Sequence, residues 1–546
     1  MLPRIENYED LYSEFRWRIP KRFNIGAAVS DAWAARDPGR VCLEHFSPDG
    51  AHQSLTYAEL ASRSSAFAAG LAARGIGPGD RVAILLPQGF EAAIAHAAIY
   101  KLGAIALPLA LLFGVEALAY RLRDAEAVAI VTNHFGYERV AAIRAELPDL
   151  RLIVLAEEGE LPGTVRFERL MAGEGRFAAA DTTPDDPALM IYTSGTTGPP
   201  KGALHGHRVL LGHLPGFQFH HHFLPKSGDR MWTPADWAWA GGLLNALLPS
   251  LFFGVPVVSS PAQKFDPHMA FRIMQDMDVR NAFIPPTALR LLRSVERPRE
   301  RYRLSLRTIG SAGEVLGRET YEWAKAALGI EVSEFYGQTE CNIVISSAAD
   351  LDVLKPGSMG KAVPGHEVAI IDREGSVLPP GTVGQVAIKR PDPVMFLGYW
   401  KNDGATEAKF IGDWMTTGDQ GVLDDEGYFT FFGREDDVIT SSGYRIGPGE
   451  IEDCLMGHPD VQMAAAVGRP DPVRTEIVKA YVVLKPGVAA DEGTAAEIRG
   501  WVKNRLSMHE YPREIEFVDS LPLTTSGKVI RRLLRERAVA EAVRNR

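Results

Sequence analysis

The segment Tyr192–Gly202, YTSGTTGPPKG, has the composition of a phosphate-binding loop. Glycine lets backbone N–H groups approach anionic oxygens closely, and a lysine adds positive charge. In the nucleotide-binding P-loop, four residues separate the glycines and a helix starts at the lysine. Here Pro199 and Pro200 precede Lys201 and carry no N–H donors, so we expect no helix to start there. The apolar run 189–191 leads into the segment, which favours a ligand loop at a strand's carboxyl end over an ordinary flexible loop.

Composition narrows the class of protein. The 546 residues suffice for two or more domains, and the net charge of -10 argues against a general nucleic-acid binder. Cysteines 42, 341 and 454 lie far apart and form no metal or disulfide pattern, which favours a cytoplasmic location. The charged N-terminus does not resemble a secretory signal. Polar residues and prolines interrupt the apolar stretches 91–113 and 241–258, so we expect core segments and no membrane span.

Periodicity predicts the elements that position the loop. Short β-rich runs alternate with helical stretches, at 81–87, 127–133, 151–157, 188–193, 254–260 and 307–314. Such alternation predicts a large N-terminal α/β domain of parallel sheets covered by helices.

The pattern of predicted secondary structure changes from about Gly365. Segment 367–390 reads as strand, turn-rich connection and strand, which predicts a smaller antiparallel or β-barrel-like subdomain. Two strand candidates, 478–484 and 515–518, flank a helical face formed by Ile498, Trp501, Val502 and Leu506. These predict a separate, small α+β C-terminal module, with the boundary in 433–447.

Further polar, glycine-containing segments follow where strands should end. They are SAGE (311–314), YGQTE (336–340), TGD (417–419), GRED (433–436) and PLTTSGK (522–528). Together with the opening loop, in this order, they resemble the adenylate-forming superfamily of acyl-CoA synthetases, adenylation domains and firefly luciferases. The resemblance runs from FNIGAAVSDAWAARDP (23–38) to GKVIRR (527–532). It implies ATP, CoA and Mg²⁺ as ligands, a domain of residues 1–435, and a mobile domain of residues 436–546 that rotates about Asp436.

The resemblance also assigns roles to individual residues. The segment that matches the loop for the β- and γ-phosphates of ATP comprises Thr193, Ser194, Gly195, Thr196, Thr197, Gly198 and Lys201. The residues that match the adenine-flanking strand and the α-phosphate segment are Ala312, Gly313, Glu314, Tyr336, Gln338 and Thr339.

The remaining roles follow from the same resemblance. Glu340 matches the Mg²⁺ ligand, a suitable hard oxygen donor. Asp419 matches the acceptor for the ribose hydroxyls, with Arg434 beside it. Lys528 matches the lysine between substrate carboxylate and α-phosphate, so Lys528, Thr339, Glu340 and Lys201 form the catalytic set. Gly443 would line the pantetheine channel and Arg445 would contact phosphate. Taken singly, such charged residues would be solvated or in surface ion pairs.

The resemblance also implies which residues form the wall of the acyl pocket: Trp239, Ala240, Gly241, Ala312 and Gly337. The chain looks closest to acetyl-CoA and medium-chain acyl-CoA synthetases. Acetyl-CoA synthetases close the pocket with a tryptophan before QTE, where this chain has Gly337. We therefore expect a deeper apolar pocket and a medium-chain or branched acid as substrate. The alternatives are acyl or aryl transfer to a separate carrier protein, an acetate or propionate ligase, a non-catalytic nucleotide sensor, and luciferase-type oxidation.

Two residue clusters and one motif carry further predictions. Histidines 205, 207, 213, 220, 221 and 222 lack cysteines or carboxylates at ligand spacing, so a structural or surface role is favoured over metal binding. Arginines 531, 532, 535, 537, 544 and 546 are interpreted as the solvated face of a terminal helix, with CoA phosphates as the alternative. Lys528 follows Pro522 and Gly527 as in acetylated bacterial acyl-CoA synthetases, which implies an acetyltransferase and a deacetylase as partners. The oligomeric state is not predicted.

Overall fold

A computed structural model describes residues 1–50, 52–172, 177–193, 199–260, 265–434, 437–441, 444–471, 474–506, 511–524 and 527–544. For residues 440, 444, 445, 543 and 544 it describes the backbone alone. The strands are β1 Val41–His45, β2 Gln53–Thr56, β3 Arg81–Leu85, β4 Ile105–Pro108, β5 Ala129–Thr132, β6 Leu152–Leu155, β7 Thr164–Arg166, β8 Pro187–Thr193, β9 Lys201–Gly206, β10 Met231–Trp232, β11 Val257–Ser259, β12 Asn281–Phe283, β13 Thr308–Ser311, β14 Val332–Gln338, β15 Asn342–Ser346, β16 Lys361–Ala362, β17 Val368–Ile371, β18 Gly384–Lys389, β19 Gly398–Tyr399, β20 Phe410–Ile411, β21 Trp414–Leu423, β22 Phe429–Arg434, β23 Ile439–Ser441, β24 Tyr444–Ile446, β25 Val461–Asp471, β26 Thr475–Leu484 and β27 Glu514–Phe517.

The helices are α1 Tyr8–Glu14, α2 Ala32–Arg36, α3 Tyr57–Ala72, α4 Phe90–Lys101, α5 Val115–Asp124, α6 His134–Ala142, α7 Phe167–Leu170, α8 Arg208–His220, α9 Ala240–Gly242, α10 Leu248–Phe253, α11 Pro267–Asp276, α12 Pro286–Leu292, α13 Pro298–Arg301, α14 Arg318–Leu328, α15 Asp403–Glu407, α16 Pro448–Met456, α17 Glu492–Arg505 and α18 Arg531–Arg544. Two π-helical segments, Ala27–Asp31 and Leu243–Leu247, and two 3₁₀ segments, Arg144–Glu146 and Ala349–Leu351, complete the helical structure of the described residues.

Two large sheets form the α/β part of the chain. One has the strand order β16-β15-β14-β13-β12-β10-β11-β1-β2, and the other has the order β19-β9-β8-β4-β3-β5-β6-β7. Pairing is parallel from β14 to β1 in the first sheet and from β8 to β7 in the second, with antiparallel edges. One apolar core includes Leu43 of β1, Val82 of β3 and Ile99 of α4, so the two sheets share buried surface. The predicted parallel α/β architecture is confirmed.

The two smaller sheets are mainly antiparallel. Strands β17, β18, β21 and β20 pair in that order, with β22 on β21. Towards the C-terminus, β24, β23, β26 and β25 pair in that order, and β27 joins β26 in parallel. Ile498 and Val502 of α17 are buried in the core of this last sheet, as the helical pattern predicted. The antiparallel segment after Gly365 and the α+β C-terminal module are both present.

The interrupted apolar stretches lie in the core. Helix α4 is buried along almost its whole length, and strands β4 and β11 are interior strands of the two large sheets. Among the described residues, no helix is both long and apolar enough to span a membrane.

The chain around the predicted boundary is anchored on both sides. Arg434, at the end of β22, pairs across the strands with Asp419 of β21. Asp437 instead forms ion pairs with Arg531 and Arg535 of α18. Residues 435 and 436, and with them the predicted hinge Asp436, lie outside the described residues. The division into 1–435 and 436–546 therefore stays a prediction.

Helix α18 corrects part of the prediction for the terminal arginines. Arg532 and Arg537 are more than half exposed, as expected of a solvated face. Arg531 and Arg535 instead pair with the half-buried Asp437, and Arg531 also binds the buried Glu452 at 2.5 Å. The solvated-face prediction is wrong for these two residues because acidic side chains of the same module face them. The Arg544 side chain and Arg546 lie outside the described residues.

The histidine cluster is interior. Helix α8 and strand β9 place His205, His207, His213, His220 and His221 at zero exposure, and His222 is half-buried. The surface alternative is therefore wrong for the first five, and packing explains them: His220 stacks on Phe335 with ring centroids 4.4 Å apart. Burial lowers the pKa of these rings, to about 3 for His205 and His213, which keeps them neutral.

Candidate adenylate-forming site

The described residues on either side of the phosphate-loop segment form a pair of antiparallel strands. Strand β8 ends at Thr193 and pairs antiparallel with β9, so that Thr193 lies opposite Lys201. Lys201 thus begins a strand, and the prediction that no helix starts there is confirmed. The Tyr192 hydroxyl donates to Asp124 at 2.5 Å and fixes the end of β8. Residues 194–198, which carry the predicted phosphate contacts, lie outside the described residues.

Lys201 and Glu340 meet at one aromatic side chain. The Tyr399 hydroxyl donates to Glu340 Oε1 at 2.5 Å, and Lys201 Nζ lies 5.2 Å from the centre of the Tyr399 ring. Burial and the Glu340 carboxylate raise the pKa of Tyr399, so the phenol stays protonated as a donor. Glu340 is 7% exposed and lies in the turn between β14 and β15, where Thr339 is half-buried.

This arrangement suits a magnesium ion bound together with phosphates. Mg²⁺ is usually held by one or two protein carboxylates, with substrate phosphates and water completing the shell. Glu340 supplies one such carboxylate, with Tyr399 orienting it. No cluster of three or more acidic, histidine or cysteine ligands occurs in the part of the chain that the structure describes. The residues therefore fit a Mg²⁺ ion that depends on the nucleotide for most of its ligands.

Asp419 is a carboxylate that several neighbouring side chains of the site hold in place. It accepts hydrogen bonds from the Tyr336 hydroxyl at 2.6 Å and from Gln338 Nε2 at 2.7 Å, both at Oδ2. Arg434 Nε lies 3.5 Å from Oδ1. Burial raises the pKa of Asp419, and Arg434 and the two hydrogen bonds oppose that rise. The structure thus brings four predicted residues into one network that holds an acceptor carboxylate in place.

Lys528 comes from the far end of the chain to the same place. Its Cε lies 3.5 Å, and its Nζ 3.8 Å, from where a Cβ atom on Gly313 would be. Desolvation lowers the pKa of Lys528; Glu314 opposes this, Arg434 adds to it, and Asp419 opposes it. The residue nevertheless keeps solvent-exposed surface. The ammonium therefore lies among the predicted nucleotide-binding groups.

The segment Ala312–Glu314 is a bend rather than the expected strand. Strand β13 ends at Ser311, and Gly313 has φ +97°, a conformation that favours glycine. The Glu314 carboxylate turns away towards α12, where Thr287 Oγ1 donates to it at 2.9 Å and Arg290 at 3.0 Å. Because β13 and β14 are parallel, this bend and the Glu340 turn share one edge of the sheet.

The predicted acyl wall is apolar where the structure shows its contacts. A Cβ atom on Gly241 would lie 3.0 Å from the Phe283 ring. Ala312 belongs to the same apolar cluster as Phe283, together with Phe335 and Ile343. Trp239 packs edge-on against Phe113 with centroids 5.5 Å apart, and Ala240 packs on the main core.

Gly337 does not open this pocket in the expected way. A Cβ atom there would lie 1.2 Å from the backbone oxygen of Asn342, across the β14–β15 hairpin. Asn342 has φ +47°, and the register shifts between Tyr336 and Gly337. The space left by the missing side chain is therefore filled by backbone. This glycine is required by the close approach of two strands, so its missing side chain does not indicate a deep pocket.

Several site residues had no recognisable signal in the sequence. Tyr399, Thr287, Arg290 and Phe283 lie outside the motifs, and only the fold brings them to the site. Conversely, the structure does not describe the surroundings of Gly443 or the Arg445 side chain, and their predicted roles are untested.

Comparison with known proteins identifies the family. A family model described as AMP-binding enzyme matches residues 30–400, and one described as AMP-binding enzyme C-terminal domain matches residues 450–528. The chain belongs to the AMP-binding enzyme family. The uncharacterized acyl-CoA ligase YtcI of Bacillus subtilis (strain 168) is 35% identical over 526 residues, covering 95% of this chain and 96% of YtcI.

Two further relatives point to the same chemistry. The mitochondrial acyl-coenzyme A synthetase ACSM4 of Homo sapiens is 35% identical over 535 residues, which cover 95% of this chain and 91% of ACSM4. The crystal structure of the anthranilate CoA ligase AuaEII in complex with anthranoyl-AMP superposes with a TM-score of 0.88 at 28% identity, covering 96% of this chain and 99% of AuaEII. Family membership and these relatives support carboxylic acid–CoA ligation that forms AMP and uses ATP and CoA.

Proposed function

We propose that this protein, an AMP-forming carboxylic acid–CoA ligase, activates a medium-chain or branched carboxylic acid. The observation that carries the site assignment is the convergence of Lys528 with Gly313, Glu314, Asp419 and Arg434. These residues are distant in sequence, and only the fold brings them together.

The reaction needs alignment and charge neutralisation more than acid–base chemistry. We infer that Asp419 accepts hydrogen bonds from the ribose hydroxyls, since Tyr336 and Gln338 hold its carboxylate rigidly. Lys528 then stabilises negative charge between the attacking carboxylate and the α-phosphate. Thr339 contacts the α-phosphate, while Lys201 and the segment 193–198 hold the β- and γ-phosphates. Mg²⁺ bound at Glu340 would neutralise part of the phosphate charge.

The acyl tail is proposed to lie against Phe283, Gly241 and Ala312. The contacts of these residues are apolar, which favours a hydrocarbon tail over a charged one. An aromatic acid is the second candidate, because AuaEII binds an anthranoyl group in a similar fold.

The second half-reaction is proposed to follow rotation of residues 436–546 about Asp436. Rotation of this kind concentrates a large dihedral change in a few residues between rigid bodies. The anchoring of Arg434 to Asp419 and of Asp437 to α18 supports a hinge between them. Gly443 and Arg445 would then face CoA, as the resemblance implies.

The direct test is a panel of carboxylic acids in a pyrophosphate-release assay, with and without CoA. We expect pyrophosphate release with straight-chain and branched medium-chain acids, and acyl-CoA when CoA is present. Lys528→Ala should abolish adenylate formation but spare thioester formation from supplied acyl-adenylate. Equal loss in both half-reactions would refute the role of Lys528. Higher kcat/KM for benzoates than for every aliphatic acid would refute the substrate class, and product found only on an added carrier protein would refute CoA as acceptor.

Lysine acetylation, a cytoplasmic location and a role in fatty acid metabolism are parts of the same proposal. Lys528 keeps exposed surface, as a modifying enzyme requires, and the three cysteines are free thiols, as expected in a reducing compartment. Acetylation would remove the positive charge that adenylation uses. Treatment with a bacterial acetyltransferase and acetyl-CoA, followed by mass spectrometry, should find Lys528 modified and adenylation lost together. An unmodified Lys528 would refute this proposal.

A further inference from the structure

One face of helix α16 is shaped to fit the start of helix α14. Gly449, Asp453 and Gly457 follow each other at intervals of four residues and therefore lie on the same side of α16. A Cβ atom on Gly449 would lie 3.5 Å from Val315, and one on Gly457 would lie 3.2 Å from Glu319. Gly457 thus allows a close approach at one end of this face, Gly449 lies at ordinary contact distance from Val315 at the other end, and the aspartate lies between them.

The Asp453 carboxylate occupies the place of an N-terminal helix cap. Helix α14 starts at Arg318, and its N-cap residue Gly317 has no side chain that could bond the free N–H groups of the first turn. Asp453 Oδ2 instead accepts the Arg318 N–H at 3.1 Å. A carboxylate is a favourable partner there, because the helix dipole also attracts negative charge.

Gly317 leaves the space that the Asp453 carboxylate occupies in this contact. With φ +79° it has a backbone conformation that favours glycine, and a Cβ atom there would lie 2.0 Å from Asp453 Oδ1. A capping side chain at the usual position is therefore excluded by the carboxylate that replaces it. The cap of α14 comes from a residue more than a hundred positions away in the chain.

This contact is next to the groups that surround Lys528. Desolvation raises the pKa of Asp453, while the bond from Arg318 and the charge of Arg290 oppose the rise. The same Arg290 donates to Glu314 at 3.0 Å, and Glu314 is a carboxylate that attracts Lys528. The carboxylate of α16 and the ammonium of Lys528 therefore approach the same stretch, residues 313–318, from one terminal module.

We propose that Asp453 is a positioning residue for adenylate formation: by capping α14 it selects the orientation in which Lys528 reaches Gly313. The proposal rests on the proposed function, because it requires that the terminal module leave this orientation before the thioester forms. Loss of the cap should therefore lower the population of the adenylate-forming orientation and leave the other half-reaction intact or faster. In this respect Asp453 differs from a residue that only stabilises the fold.

The test compares Asp453→Ala with Asp491→Ala. Asp491 belongs to the same module and caps helix α17 within it, accepting the Thr494 N–H at 2.9 Å, so the two variants lose the same kind of bond. Losing an N-cap typically changes a conformational equilibrium by roughly five- to thirtyfold. We expect Asp453→Ala to lower kcat for pyrophosphate release by about that factor, with thioester formation from supplied acyl-adenylate undiminished. Asp491→Ala should lower thermal stability and leave the ratio of the half-reactions unchanged.

Two further measurements keep the test decisive. Asp453→Asn retains an acceptor oxygen, so it should recover much of the lost adenylation rate and also serves if the alanine variant folds poorly. Hydrogen exchange of the Arg318 amide should accelerate in Asp453→Ala and stay at the wild-type rate in Asp491→Ala, whether or not the enzyme turns over. Unchanged exchange, or equal loss in both half-reactions, would overturn the proposal. An inactive wild type with the expected exchange pattern would instead refute the proposed function and leave the cap itself established.

Discussion

Replacing Gly337 by alanine tests whether the close approach of strands β14 and β15 requires a glycine at this position. The added Cβ atom would lie 1.2 Å from the Asn342 backbone oxygen, and Cβ contacts shorter than 3.0 Å are essentially never found. The hairpin therefore has to open by roughly 2 Å, because packed interiors offer no slack of that size. Thr339 and Glu340 lie in the turn between these strands and would move with it.

The expected loss follows from that displacement. Misplacing catalytic groups by about 1 Å can cost roughly a hundredfold in rate. We therefore expect Gly337→Ala to lower kcat/KM for adenylate formation at least about a hundredfold, by the same factor for every acid. If instead Gly337 opened an acyl tunnel, a single methyl group would barely affect short acids and would reduce activity only towards long ones.

The assay is pyrophosphate release for straight-chain acids from acetate to decanoate. Gly500→Ala is a suitable control, because nothing lies within 4 Å of the added Cβ atom on helix α17. It should behave like the wild type. A Gly337→Ala enzyme that retained wild-type rates would show that the hairpin can accommodate the added Cβ atom without displacing the catalytic residues. A loss confined to long acids would instead show that Gly337 lines an acyl tunnel.

Three other predictions follow from the site and the fold. Gly241→Val would place methyl groups against Phe283, which a Cβ atom already approaches to 3.0 Å, so kcat/KM should fall for longer acids and not for acetate; an unchanged chain-length profile would place the tail elsewhere. Asp436→Pro should fix φ at the predicted hinge, so that adenylation continues and CoA transfer stops; normal overall turnover would move the hinge to another residue. His205 stays neutral in the folded protein because burial lowers its pKa from near 6.5 to about 3, whereas the unfolded chain takes up a proton below about pH 6.5. Stability should therefore fall as pH decreases from 6.5 towards 3. His205→Leu, which removes no hydrogen bond of the described residues, should weaken this dependence by about one proton in urea unfolding; an identical pH dependence in the variant would contradict the assignment.

Local patterns in the sequence were sufficient to predict the main strands and helices and the order of the site motifs along the chain. Short apolar runs such as 81–87 and 151–157 gave strands, since a fully buried strand needs a continuous apolar segment. The two prolines before Lys201 excluded a helix start, because proline has no N–H donor. Motifs at strand ends converge because parallel strands share one carboxyl edge, so the segment after β13 and the end of β14 lie at the same edge of the sheet.

Tertiary structure alone decided what fills the space around a residue. Gly337 was predicted to open a pocket, but which atoms face a missing side chain depends on strand register and on the orientation of the Asn342 carbonyl. Arg531 was interpreted as part of a solvated face until the fold supplied a buried carboxylate as its partner, and Asp453, which carried no prediction, lies at a helix end. Sequence periodicity reports which face of an element is apolar, whereas the partner of a polar group is set by residues far away in the chain. That partner, and therefore the role of the group, exists only once the chain has folded.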